Sequence, residues 1–211
     1  MYIPPANRME DRAAIRAFIR AYNFATVITH PPGAEAWASH LPLLLREGEG
    51  GDRLVGHLAR ANEQWRHWAA APEVLCLFHG PHAYISPSWY QAKVAVPTWN
   101  YATVHVYGRA RIEADPGFLR QIVEDTTVRH ESDLPTPHQL ALPEEYMAGM
   151  LKAIVGFSIE ITRIEAKFKL GQNRSAEDQA SMLAALESST HSGSRELAEF
   201  IRRQAPKPPG A

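Results

Sequence analysis

The run TVHVYGRARIEA, residues 103–114, most narrows what this chain can become. Val104, Val106, Ala110 and Ile112 fall at one parity, and His105, Tyr107, Arg109 and Arg111 at the other. Successive side chains of a strand point to opposite faces, so this order makes a sheet with one apolar and one polar face. A helix would scatter the same residues around its circumference. The chain must therefore build a sheet that packs one side against a core, and the remaining segments must supply its neighbours.

Those neighbours are readable. FATVIT, WASHLPLLL and RLVGHLA are strand-like, separated by the turn-forming HPPGAEA and EGEGGD, and are expected to form an antiparallel meander. EVLCLFH is a continuous apolar run of strand length, HAYIS follows it, and GFSIEITRIEAKF is a last strand. Helices alternate with them. EDRAAIRAFIRAY places Ile15, Phe18, Ile19 and Tyr22 at helical spacing, and Asn62 is placed to cap EQWRHWAAA, with Trp65 and Trp68 on one side. Asp115 and Pro116 open a helix carrying Phe118, Leu119, Ile122 and Val123. LPEEYMAGMLKAI is another. Ser175 starts a further helix with Asp178 at the capping-box position; SRELAEFIRRQ follows, and APKPPGA reads as a frayed tail. The pattern predicts a mainly β fold with flanking helices (α+β), an antiparallel barrel, closed or split, of about seven strands.

Bulk properties set outer limits. A length of 211 residues with 45% hydrophobic and 21% charged residues suits a globular chain with a sizeable core. The formal net charge of -1 carries no basic surplus of the kind that marks many nucleic-acid binders. The single Cys76 cannot form an internal disulfide and sits in an apolar run, as a packing residue does. No apolar run approaches a membrane span, and MYIPPANRME lacks the regions of a signal peptide, so a cytoplasmic protein is expected.

Three stretches could carry chemistry. In GHLARANEQWR, residues 56–66, a strand ends, Arg60 follows and a helix opens at Asn62. Free amides at a helix start and a guanidinium fork together suit a phosphate, although a capped helix beside a surface arginine gives the same letters. AYISPSWYQAKVAVPTWNY, residues 83–101, interleaves Tyr84, Trp89, Tyr90, Trp99 and Tyr101 with Ser86, Ser88, Thr98 and Asn100. Ring faces beside fixed polar groups describe a pocket for a planar ligand, and equally a proline-kinked loop that closes a barrel end. EAKFKLGQN, residues 165–173, sets Lys167 and Lys169 on one face and ends in Gln172 and Asn173. The lysines suit an anion and the amides a heterocycle edge; a solvated strand end is the alternative. The ten histidines show no metal-ligand spacing, HGPH being read as a turn, and no metal site is expected. GxSxG, P-loop and GxGxxG motifs do not occur.

MYIPP, HLPLLL, GHLARANEQWR, FHGPHAYISPSWY, VPTWNYATVHVYG and MLKAIVGFSIEITRIEAKFKLGQNR, in this order, resemble the PaiB family of FMN-binding negative transcriptional regulators. The resemblance spans residues 1–175 and implies an FMN-binding split barrel there, with residues 176–211 a C-terminal helical extension and tail. It also implies a homodimer with FMN at the subunit interface. Ser86, Ser88, Trp89, Thr98, Trp99 and Asn100 would then be pocket walls. His57, Arg60, Asn62 and Trp65 would lie at the phosphate, and Lys167, Lys169, Gln172 and Asn173 would close the site. The chain departs from the family pattern at Gly171, where a serine is expected, and in the short segment Lys93–Val96. DNA enters as a partner through the family label alone, since no helix-turn-helix stands out and Arg202 and Arg203 are the one basic pair of the last helix. Two other functions fit the same fold: a flavin-dependent oxidoreductase acting on a small molecule, and a haem-handling split barrel. No residue is singled out as catalytic.

Overall fold

The computed structural model describes residues 1–137 and 142–204; the C-terminal tail read from the sequence lies outside them. The described residues form eight strands: β1 (Arg8–Met9), β2 (Phe24–Thr29), β3 (Trp37–Pro42), β4 (Leu44–Arg46), β5 (Arg53–Ala59), β6 (Glu73–Ile85), β7 (Thr98–Glu113) and β8 (Ile154–Lys169). The helices are α1 (Arg12–Ala21), α2 (Gln64–His67), α3 (Pro116–Glu131), α4 (Glu144–Leu151), α5 (Ala176–Glu187) and α6 (Ser192–Gln204). The hydrogen-bonded order is β3-β2-β6-β7-β8-β5-β4, and β1 adds to β8. The chain divides into two compact units, and β6, β7 and β8 each contribute to both.

The larger unit comprises Arg16–Phe78 and His105–Ile164. In β7 the alternation predicts the burial: Val104, Val106 and Ala110 are buried, while Arg109 and Arg111 are exposed. The expected antiparallel pairings of FATVIT, WASHLPLLL and RLVGHLA are present, with WASHLPLLL divided into two strands. β2 pairs with β3 and β4 with β5, but these pairs stand at opposite ends of the strand order. Only Leu43 separates β3 from β4, so the two ends of the sheet meet and the sheet closes into a barrel. Leu43 is fully buried, and its amide extends the β2–β3 register by donating to Asn23 O at 2.9 Å. Gly56 permits this closure: a Cβ there would come within 2.8 Å of Leu43 Cδ2.

The core holds Leu54, Leu58, Phe78, Val106, Phe157 and Ile159, with Trp68 edge-on to Phe157 at 4.9 Å between centroids. Asp115 caps α3 as read, accepting from the amides of Gly117 and Phe118 at 3.1 Å each. Two expectations change. The helix after Asn62 is a single turn with Glu63 at its N-cap, because Trp68 ends the turn and the chain bends towards Pro72 through bonds from Ala70 and Ala71 to His67 O. And HGPH is no turn: His79, Gly80, Pro81 and His82 lie within the continuous strand β6. His79 and His82 are both exposed, because the buried parity of β6 shifts between Phe78 and Pro81.

The smaller unit comprises Met1–Ile15, His79–Val104 and the residues from Glu165 onward. β1, absent from the sequence reading, pairs Arg8 with Lys167 and Met9 with Ala166. Residues Thr98–Tyr101, read as loop, belong to β7. Met182 and Leu186 of α5 and Leu197 and Phe200 of α6 are buried, and Phe168 stands edge-on to Phe200 at 5.2 Å. Ser175 caps α5 by accepting from Asp178 N at 3.2 Å.

Candidate functional site

Four of the sequence-predicted site residues lie in the larger unit: His57, Arg60, Asn62 and Trp65. His57 sits on β5 opposite Gly156, and burial pushes its imidazole below the usual 6.5. Arg60 follows the end of β5. Its Nε donates to Lys152 O at 2.7 Å and its Nη2 to Ile154 O at 2.8 Å, fastening the turn between α4 and β8. A guanidinium carries five N–H groups, so three remain for a ligand. Asn62 is used at both ends: Nδ2 donates to Ser39 Oγ at 2.7 Å, and Oδ1 accepts from Gln64 N at 3.0 Å. Trp65 Nε1 donates to Arg60 O at 3.1 Å. A one-turn helix gathers little dipole, so an anion here would depend on Arg60 rather than on helix amides.

Gln64, overlooked in the sequence, is fully buried between these residues. Its Nε2 reaches Val27 O, Thr29 Oγ1 and Trp37 O at 2.9, 3.0 and 3.3 Å. No alternation or motif marks it, since its acceptors lie 27 to 37 residues away in the chain.

The other ten lie in the smaller unit. Ser86 accepts from Ser88 N at 3.2 Å and its hydroxyl meets that of Ser88 at 2.7 Å, shaping a short 3₁₀ turn that includes Trp89. Trp99 and Tyr84 are each 48% exposed, and their centroids are 6.4 Å apart. Trp99 Nε1 donates to His82 Nδ1 at 3.3 Å, which fixes the indole plane. Lys169 donates to Thr98 Oγ1 and, at 2.8 Å, to Trp99 O. Lys167, on the same face of β8, is only 6% exposed. Its ammonium lies 5.5 Å from the Tyr2 ring centre and 5.1 Å from that of Tyr101, and donates to Tyr2 O at 3.2 Å. Burial, and then the nearby Lys167 charge, depress the Lys169 ammonium, against an opposing influence of Tyr101.

The remaining three are engaged locally. Asn100 is 1% exposed and turns its amide to Met182 Sδ at 3.4 Å. Gln172 folds back on its own strand end, accepting from Leu170 N at 2.7 Å and donating to Phe168 O. Asn173 is exposed. Gly171 has φ +88, a backbone state that a serine would adopt only under strain.

This face can hold a flavin. It offers ring faces at Trp99 and Tyr84 and two ammonium groups that make no ion pair among the described residues. A phosphate or a reduced, anionic ring would relieve the like-charge pair.

Comparisons with known proteins give the family and its cofactor. Residues 1–163 match the family described as "Putative FMN-binding domain". The protein named "Protease synthase and sporulation protein PAI 2" from Bacillus subtilis is 35% identical over 213 residues, covering 98% of this chain and 99% of its own. The chain belongs to the PaiB family. FMN is the cofactor of the family and of this member. Among solved structures, the flavocytochrome Anf3 from Azotobacter vinelandii superposes with a TM-score of 0.58 at 18% identity, covering 82% of this chain and 74% of its own. The FAD and heme binding protein from Mycobacterium smegmatis gives 0.55 at 16%, covering 83% and 79%. At these identities the likeness is one of fold, and the fold is the flavin-type split barrel.

Proposed function

We propose that this PaiB-family protein is a cytoplasmic regulatory flavoprotein that works as a homodimer with FMN at the interface between copies. The observation that carries the regulatory reading is the end-to-end similarity to PAI 2, a protein named for protease synthesis and sporulation. Bound flavin supplies reversible redox chemistry; the protein's own groups bind and orient it. Trp99 and Tyr84 line the ring, with Ser86, Ser88, Trp89, Thr98, Asn100, Lys167, Lys169, Gln172 and Asn173 forming the surrounding wall. Arg60 meets the phosphate with its remaining N–H groups, and His57, Asn62 and Trp65 shape that end. A flavin shared by two copies can draw on both groups without requiring them to meet within one copy. DNA contact, with a net charge of -1, is weak and indirect in this reading, and its salt dependence is shallow.

The test compares FMN with riboflavin, which lacks the phosphate. A hydrogen bond to a charged group contributes about 1.5–3 kcal/mol, so Arg60→Ala weakens FMN roughly 10- to 150-fold and leaves riboflavin almost unmoved. Trp99→Ala weakens both. Equal loss of both ligands in Arg60→Ala reduces Arg60 to its carbonyl-fastening role and moves the phosphate to Lys167 and Lys169. Light scattering of the FMN-loaded protein at micromolar concentration gives twice the chain mass; a monomer mass overturns the shared site.

A further inference from the structure

The larger unit contains a cavity of 620 Å³ that the flavin reading does not use for its ring. Its lining is mainly apolar: Trp65, Ile112, Leu119, Ala148, Leu151 and Val155. Gly156 helps form the floor, since a side chain there would press on Leu119 Cδ1 at 3.0 Å from the Cβ. The volume falls in the range of small-molecule sites, about 300–1,000 Å³.

The charges around it are unequal. Three carboxylates line the cavity and each is already satisfied. Glu113 is held by Arg111 at 3.0 Å and by the Ser158 hydroxyl. Asp115 caps α3, and Glu144 pairs with Arg120. The two remaining cations, Arg60 and Lys152, have no carboxylate partner among the described residues, and Arg60 is engaged only by carbonyl oxygens. If FMN phosphate occupies Arg60, Lys152 is still unneutralised. An apolar chamber with an unpaired ammonium at its rim favours a ligand with an apolar body and one negative charge.

We propose that this cavity binds a small organic anion, an aromatic or branched aliphatic carboxylate, beside the flavin phosphate that the proposed function places at Arg60 and Trp65. Lys152 receives the carboxylate, and the body lies between Ile112, Leu119 and Leu151. Such a ligand would sit against the turn that Arg60 fastens, between α4 and β8. It would therefore report a metabolite's presence to a part of the barrel that also serves the flavin phosphate.

Calorimetric titration of the FMN-saturated full chain with naphthoate tests this. The expected result is one naphthoate per chain, with the neutral isostere naphthylmethanol about tenfold weaker, the loss of about 1.4 kcal/mol for one charge pair. Lys152→Gln weakens naphthoate by about tenfold and leaves naphthylmethanol unchanged. Ala148 is exposed on α4, so Ala148→Trp fills the cavity without disturbing the core and abolishes binding of both. FMN affinity stays unchanged in both variants. Displacement of FMN by naphthoate, one for one, would make the cavity part of the flavin site and overturn the proposal. Binding that survives Ala148→Trp places the ligand elsewhere and also overturns it, as does the lack of any binding heat at millimolar naphthoate. Should the chain fail to bind FMN at all, the same titration on the free protein still decides, so the two readings fail separately.

Discussion

Asp178 gives a measurable account of how the ring-rich segment is held. It lies in the first turn of α5, is 4% exposed, and its Oδ1 accepts from Gln91 N at 2.7 Å and from Ala92 N at 3.2 Å. The carboxylate thus ties the chain just after the Trp89 turn to α5. Asp178→Ala removes the acceptor and leaves two amides to find others. A hydrogen bond to a charged group contributes about 1.5–3 kcal/mol net. Both bonds converge on one oxygen, and Gln91 and Ala92 are exposed, so water recovers part of the loss. One such contribution, about 2 kcal/mol, is therefore expected rather than two. Asp178→Asn keeps a carbonyl oxygen in place and loses only the charge, about half as much. In a chain of this length 1 kcal/mol moves the melting temperature by about 2–4 °C, which gives about 4–8 °C for the alanine variant and 2–4 °C for the asparagine. Urea melts with an unchanged slope and faster amide exchange at Gln91 and Ala92 complete the assay. An alanine variant that melts within about a degree of the parent, or no lower than the asparagine variant, refutes the reasoning.

Gly108→Ala is expected to cost about 3 kcal/mol or more in urea unfolding, because its Cβ would lie 2.4 Å from Glu160 O and 2.5 Å from Ile159 Cγ2; a loss under about 0.5 kcal/mol would mean that β7 and β8 can part at no cost. Cys76 is buried and its thiol is pushed up to about 12, so the native protein does not react with a disulfide reagent at pH 8 while the urea-unfolded chain does. His57 has its imidazole depressed below 6.5 by burial, so below that pH the unfolded chain takes up the proton first and stability falls as pH drops. His57→Gln removes this part of the acid sensitivity, and a stability curve of the same shape in the variant would assign the sensitivity to other groups.

Where side-chain order alone decides structure, the sequence was sufficient. The alternation in residues 103–114 is also the burial pattern of β7, and FATVIT and RLVGHLA are β2 and β5 residue for residue. Asp115 and Ser175 cap the helices they were read to cap, because a cap is a contact over two or three residues. The antiparallel pairings of FATVIT, WASHLPLLL and RLVGHLA were legible, but the place of β6, β7 and β8 between them was not, because strand order is set by contacts across the whole chain. Leu43, one apolar residue between two strands, carries no sign that the chain there passes from one end of the sheet to the other. The HGPH turn was misread for a related reason: glycine and proline mark turns only when neighbouring strands do not hold the backbone straight, and here β6 runs through them.

The candidate site was legible in residue type and illegible in state. Lys167 and Lys169 read as equals, two residues apart on one face, yet their surroundings differ. Lys167 is enclosed by Tyr101 and by Tyr2, whose carbonyl it bonds from 165 residues away, and nothing in KFKLGQN announces that. Lys169 stays at the edge, spending its donors on Thr98 and Trp99 O beside the exposed indole. The division has a functional consequence. A buried ammonium between two rings is a fixed charge that sets the field, whereas the half-exposed Lys169 can turn from the strand to an incoming anion. In the proposed function Lys169 is therefore the one of the two that would respond to flavin, and the depression of its ammonium by burial and by Lys167 is the electrostatic cost that a negative ligand would remove.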